Sequence, residues 1–155
     1  MHLPVNRDSE TSGLALLISV IQDFKYPLRF WAVMAVAFMP ATPTSATITT
    51  PVLIQCLGDA TNPRIPPVAA MGLGKNKYAP QLAIPALTRC LATAGASEEL
   101  RCAAVQSLAL FGTQATNALP ALTNALIDSS FMVRFAATNA IEKITSKVSA
   151  STSAL

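Results

Sequence analysis

The chain is short of the residues that do chemistry. Its 155 residues hold one histidine, His2. A lone imidazole gives no His pair for zinc or iron and no histidine base for a nucleophile triad. Charge is scarce as well: Asp, Glu, Lys and Arg make up 12% of the chain, with a net charge of +3. The 11 cations are scattered rather than striped, which argues against tracking a nucleic-acid backbone. The 8 acids, from Asp8 to Glu142, form no convincing catalytic pair along the sequence. Gly72-Leu73-Gly74-Lys75 is too short, and lacks the flanks, for a phosphate loop. Cysteine is limited to Cys56, Cys90 and Cys102, with no Cys-x-x-Cys pair. Such a set reads as reduced, buried thiols in a reducing compartment. Cys56 and Cys90 share a register, and a disulfide between them would need suitable Cα geometry. Apolar runs are interrupted too. Gln22, Asp23, Lys25 and Arg29 cut the first apolar region into pieces shorter than the ~30 Å of hydrocarbon a membrane helix must cross.

Apolar residues are plentiful, at 52%, so disorder is excluded and burial dominates. They recur with a long period. Ala83-Ile84-Pro85-Ala86-Leu87 returns as Ala118-Leu119-Pro120-Ala121-Leu122, and Arg101-Cys102-Ala103-Ala104 as Arg134-Phe135-Ala136-Ala137. A period of 33 to 37 residues means stacked helical hairpins. Arg29, Arg64, Arg101 and Arg134 serve as origins of the second helices, separated by 35, 37 and 33 residues. Counting from these arginines, offsets −1, +3, +7 and +10 trace one apolar stripe. Offset +6 holds Ala35, Ala70, Ser107 and Ala140, all small enough for close helix packing. Leu17, Leu53, Leu87 and Leu122 mark the first helices, with Ile21, Leu57, Leu91 and Leu126 four residues on. Pro51, Pro85 and Pro120 are expected in first helical turns. Turns follow at Asp23–Pro27, Asp59–Pro63, Ala94–Ser97 and Asp128–Ser130, and Asp59 and Asp128 suit caps or turn acceptors. Pro40 to Thr50 reads as a connection, and Gly74 and Gly112 as helix ends. Pro66-Pro67 must lie in a first turn or displace the helix start.

These motifs resemble the HEAT family, in particular its short bacterial subtype related to phycobilisome-lyase HEAT-like repeats. The likeness rests on the Ala-Ile-Pro-Ala-Leu and Ala-Leu-Pro-Ala-Leu openings, the Asp128 turn and the Leu100-Arg101 and Val133-Arg134 pairs with their alanines. It is strong over 83–144, fair over 49–74 and weak over 14–39. It implies an α-solenoid of antiparallel helix pairs that serves as a binding scaffold. An accessory or chaperone role beside a bilin lyase, or beside another cofactor-handling enzyme, is a family analogy. So is nucleic-acid binding, against which the scattered cations argue. The His-Glu motifs of di-iron HEAT hydroxylases are missing.

The expected fold is therefore an all-α solenoid of about four antiparallel hairpins. Its units run approximately 13–40, 49–76, 83–113 and 118–146, between tails at 1–12 and 147–155. The expected function is a non-catalytic scaffold for a protein partner, with no cofactor or metal. Gln106 and Asn139 share the +5 register and suit the concave face. Arg101 and Arg134 admit two readings. One is a ladder recognising carboxylates or phosphates. The other, which is preferred, is bonding to turn carbonyls and to the Asp of a neighbouring unit. Phe30 and Trp31 suit core packing better than partner anchoring. The first unit is apolar all round, which suits burial against another surface, such as a second copy of the chain. A cytoplasmic protein is expected; the alternative is export, with residues 25–46 as a signal segment cleaved after Ala46.

Overall fold

Helix starts in this chain are set by proline and by short polar caps. The computed structural model describes residues 7–23, 25 and 27–152, with side chains described over 12–23, 25 and 27–146. His2, residues 1–6 and residues 153–155 of the expected tails lie outside the described residues. α1 spans Arg7–Gln22, α2 Arg29–Phe38, α3 Pro43–Cys56 and α4 Ile65–Asn76. α5 spans Pro80–Ala92, α6 Glu98–Phe111, α7 Leu119–Ala125 and α8 Phe131–Thr152, with a 3-10 segment over Gly112–Ala118 leading into α7. No strand occurs among the described residues. The odd and even helices pair as first and second members of four hairpins, so the fold is the all-α solenoid that the repeat implies. Residues 7–12 and 147–152, expected as tails, are helical.

Several first helices begin earlier than the proline pattern suggests. α3 starts at Pro43, behind a capping box in which Thr42 Oγ1 accepts the Ser45 N–H and Ser45 Oγ accepts the Thr42 N–H. Residues 43–50, expected as a connection, are therefore helix, and Pro51 lies inside it. α5 starts at Pro80, so Pro85 is also interior. Of Pro51, Pro85 and Pro120, Pro120 alone sits in a first turn, at the start of α7. The earlier starts let Thr49, Thr50, Ala83 and Ile84 be buried. That burial offsets the ladder bonds the interior prolines cannot donate.

The second helices pack on one another far more extensively than the first helices do. They form the inner layer of the stack. Burial realigns its register. The chain-equivalent column is Arg29, Ile65, Leu100 and Val133, all buried, rather than the four arginines. From these, +4 gives Val33, Ala69, Ala104 and Ala137, and +7 gives Val36, Gly72, Ser107 and Ala140, again all buried. Counted from Arg29 and Arg64 the expected columns fail in part: Leu28, Pro63 and Met71 of the stripe and Ala35 of the small-residue column are exposed, whereas Ala32, Val36 and Ala70 are buried as expected. The cause is local. Pro63 and Pro66 place the start of α4 at Ile65, leaving Arg64 as its exposed N-cap. Arg29 in turn is recruited into the core layer by an ion pair.

Gly74 does not end its helix either. α4 runs through Gly72 and Gly74 to Asn76 and is closed by Lys77 in the left-handed region. A Cβ on Gly72 would lie 2.6 Å from Ala37 Cβ, and one on Gly74 would lie 2.5 Å from Ser107 Cβ. The glycines are where α4 meets α2 on one side and α6 on the other. Gly112, by contrast, ends α6 with a positive φ, as its position suggested.

In the first helices Leu53, Leu87 and Leu122 are fully buried, whereas Leu17 is half-buried. The deeper partner lies three residues on, at Cys56, Cys90 and Ala125. Of the expected partners at four residues, Ile21 is buried in the core, Leu57 and Leu91 lie at the flank, and Leu126 is exposed because α7 has already ended. The three cysteines are free thiols. Burial pushes the Cys56 thiol up to about 11 and raises that of Cys90 as well.

Candidate functional site

α4 and α6 have second helices on both flanks and first helices beneath. One face of each remains, and whatever they expose must lie on it. α4 exposes Met71 and Lys75; α6 exposes Gln106 and Leu110, besides Glu98 and Glu99 in its first turn. Met71 is 43% and Leu110 45% exposed, large values for apolar residues in the middle of a stack. The realigned register extends this face to α2 and α8. Trp31, Pro67, Cys102 and Phe135 form one column, and Ala35, Met71, Gln106 and Asn139 the next. Trp31 is 62% and Phe135 57% exposed, so Trp31 is not the core residue that was expected. Gln106 is exposed and Asn139 half-buried on adjacent helices of this face. The Gln106 amide donates to Cys102 Sγ at 3.5 Å. Cations border the apolar residues: Lys75 Nζ lies 5.0 Å from the Phe38 ring centroid, and the Arg64 guanidinium 4.5 Å from that of Phe30. The sequence reading picked Gln106 and Asn139 but missed Met71, Leu110 and Phe135. For Met71 and Leu110 the signal was an apolar residue sharing a column with Gln106 and Asn139 or with Lys75 and Lys143, visible only once the columns are set by burial.

Arg101 occupies different ground, at the turn end of the stack. Its Nε and Nη2 donate to Asp128 Oδ2 and Oδ1 at 2.7 and 2.8 Å, and its Nη1 donates to the Ala96 carbonyl of its own turn. It thereby ties the third unit to the fourth. Arg29 ties the first unit to the second in the same manner. Its Nε donates to the Ile21 carbonyl, its Nη1 donates to Thr61 Oγ1 at 2.8 Å, and the same nitrogen makes an ionic contact with Asp59 Oδ2. The Arg101 fork holds the Asp128 carboxyl below its ordinary value, against a smaller desolvation effect. For Asp59 burial pushes upward, but bonds from Thr61 and Asn62 and the Arg29 charge outweigh it, and the net shift is downward. Arg134 donates through Nη1 to the Asp128 and Ser129 carbonyls at 2.7 and 3.0 Å.

The junction of the second and third units has no such clamp. Pro66 stands in the register of Arg101, and Thr93, six residues past Leu87, in that of Asp59 and Asp128, six past Leu53 and Leu122. A cleft of about 670 Å³ opens there, lined by Asp59, Pro66, Arg89, Cys90, Ala94 and Ser97 among others. No group of three His, Cys, Asp or Glu among the described residues is placed as metal ligands. No described helix is long and apolar enough to cross a membrane.

Residues 84–155 match the family of HEAT repeats. The matched stretch takes in most of α5 and everything after it, and supports the HEAT repeat family for the pattern described above. No curated protein matches the chain. HEAT repeats generally act as protein-interaction scaffolds.

Proposed function

We propose that this chain is a non-catalytic scaffold that holds a protein partner on the open face of its second helices. The observation that carries the reading is the exposure of Met71 and Leu110 on helices enclosed on every other side. Trp31 and Phe135 flank them with aromatic area, the type of residue that anchors interfaces. Gln106 and Asn139 supply polar contacts between these anchors, and the partner offers an apolar or amphipathic surface. Arg101 and Arg134 stand at the rim, Arg101 with its fork spent on Asp128 and Arg134 with one nitrogen on its own turn. The non-catalytic reading rests on the sequence, with its lone histidine and no catalytic pair of acids along it.

Affinity capture from native cells tests this proposal, comparing the wild-type chain with a Met71→Lys/Leu110→Lys variant of unchanged circular dichroism. A protein retained by the first and lost by the second supports it. Equal retention by both sinks it. The finer resemblance, to the phycobilisome-lyase subtype, carries the accessory role beside a bilin-handling enzyme; spectral titration with a bilin tests that role. Placement in the cytoplasm, against export through residues 25–46, is tested by N-terminal sequencing of cellular and secreted fractions. A mature start near Thr47 would remove α2, whose Val33, Val36 and Ala37 are wholly buried.

A further inference from the structure

Three exposed apolar residues of the open face lie on a diagonal whose spacing is that of an α-helix. In the register set by burial, Trp31 stands two residues past Arg29 in α2, Met71 six past Ile65 in α4, and Leu110 ten past Leu100 in α6. Each step moves to the next second helix and about one turn further along it. The helices run side by side at this level: Gly72 abuts Ala37, and Gly74 abuts Ser107, whose hydroxyl reaches the Ala70 carbonyl. Axes about 9 Å apart and a drop of four residues, about 6 Å, put successive anchors about 11 Å apart. Seven residues of an α-helix rise about 10.5 Å. A helix laid along the diagonal therefore presents its residues i, i+7 and i+14 to the three anchors in turn. Trp31 belongs to this face: Pro67 and Cys102 hold its column on the enclosed helices, and both are half-buried. The Leu110 end of the diagonal is basic. Lys75 and Lys143 are exposed in the row of Leu110, one on each side of it, and that row holds no acid. Glu142 falls in the column of buried Gly74, at the flank of α8. At the Trp31 end Arg64 and Glu99 share a row and offset each other.

We infer that the partner docks an amphipathic α-helix along this diagonal, with acidic residues beside its apolar stripe where it passes Lys75 and Lys143. The inference rests on the reading that the open face holds a protein partner, and adds that partner's secondary structure, spacing and charge. Apolar side chains of the docked helix pack around Trp31, Met71 and Leu110. Its carboxylates meet the two ammonium groups, and because the cations stand at one end only, they set the direction in which the helix lies.

The probe is a synthetic peptide of three heptads, with leucine at positions a and d and glutamate at e and g, where like charges keep it from pairing with itself. A second peptide carries lysine at e and g. Trp31 is the one tryptophan of the chain and stands on the diagonal, so its fluorescence reports burial there. The glutamate peptide is expected to move Trp31 emission to shorter wavelength on titration and to gain helical circular dichroism as it binds. The lysine peptide is expected to bind at least about tenfold more weakly. Lys75→Glu/Lys143→Glu changes two exposed residues and is expected to invert that preference. A Trp31 emission unmoved by the glutamate peptide would overturn the inference, and so would binding indifferent to peptide charge. The native partner separates that failure from failure of the scaffold reading. A protein held by the wild type and lost by Met71→Lys/Leu110→Lys, beside a silent glutamate peptide, keeps the face as a partner site and overturns the acidic helix. Equal retention by both chains sinks the site itself, and the inference with it.

Discussion

The third and fourth units are held together by charge, and the second and third by the absence of side chains. At the first of these junctions a bidentate Arg101–Asp128 pair closes the turn end. At the second no charged pair is formed among the described residues, yet α4 and α6 make the most extensive helix contact among them. That contact is bought with glycine: Gly74 lets the backbones meet, and Ser107 Oγ donates to the Ala70 carbonyl at 2.8 Å across the gap. Close approach along the helices leaves the turns apart, and the cleft opens between them. The junction of the first two units uses both devices, with Gly72 against Ala37 and Arg29 on Asp59. A repeat can thus be joined in two physically separate ways, at the turn end by charge or along the helices by close packing.

The largest expected effect separates the two clamps. Arg29 and Asp59 have side chains only 7% and 1% exposed, against 18% and 14% for Arg101 and Asp128. Asp59→Ala removes the carboxylate of a buried ion pair and should cost about 3–5 kcal/mol. Asp128→Ala leaves Arg101 partly in water and should cost about 1 kcal/mol or less. Urea unfolding of both variants measures the difference; equal losses would mean that the clamps are equivalent and burial does not distinguish them.

Leu108→Ala addresses the inner layer itself. Leu108 is wholly buried, so its truncation should cost about 2–5 kcal/mol. Met71 falls at the same distance from Arg64 as Leu108 does from Arg101, yet it is exposed, and Met71→Ala should cost about 0.5 kcal/mol or less. A Met71 loss as large as that at Leu108 would restore the arginine-based register and remove the open face.

Gly74→Ala tests the packed junction. Alanine favours a helix over glycine by about 1 kcal/mol, but its Cβ would strike Ser107 at 2.5 Å, where both Cα and Cβ stand in the way. Overpacking should win, with a net loss of about 1–3 kcal/mol. Gly58→Ala meets only the Gln55 carbonyl at 3.8 Å and should stay within about 0.5 kcal/mol of wild type. A stabilised Gly74→Ala protein would show that α4 and α6 can separate without loss.

Much of this architecture was legible before the structure. The period gave four hairpins, and Leu53, Leu87 and Leu122 gave their first helices, because buried leucine at a fixed interval has few other causes. The register of the second helices was not legible from the arginines. Arg29 and Arg101 both clamp a neighbouring turn, but they do so from positions one residue apart, since a long side chain reaches the same carboxylate from either. Arg64 lost the role because prolines moved its helix start past it. Of the candidate site, the shared register of Gln106 and Asn139 was legible from spacing alone. Met71 and Leu110 were not, because an apolar residue at helical spacing reads as core until its neighbours are known to enclose it on every side but one.

The smallest effect expected is a pH dependence confined to the clamped junctions. Asp59 and Asp128 both have carboxyls held below the ordinary aspartate value in the folded chain. Each binds fewer protons folded than unfolded around that range. Their contribution is therefore complete above the unfolded value of about 4, and is lost as pH falls through the lower folded values. Asp128 is partly exposed, so solvent screening keeps its share to a fraction of a kcal/mol. The second and third units meet without a carboxylate pair, and their contact should hold through the same acid range. Amide hydrogen exchange measured at neutral pH and near pH 3 separates the regions. After correction for intrinsic rates, protection should fall in α8 and α2 and persist where α4 meets α6. Replacing Asp128 with Asn should flatten the acid loss in α8 alone. If protection between α4 and α6 collapsed first, close packing would be the weaker of the two joints, and the open cleft would mark the place where the stack comes apart.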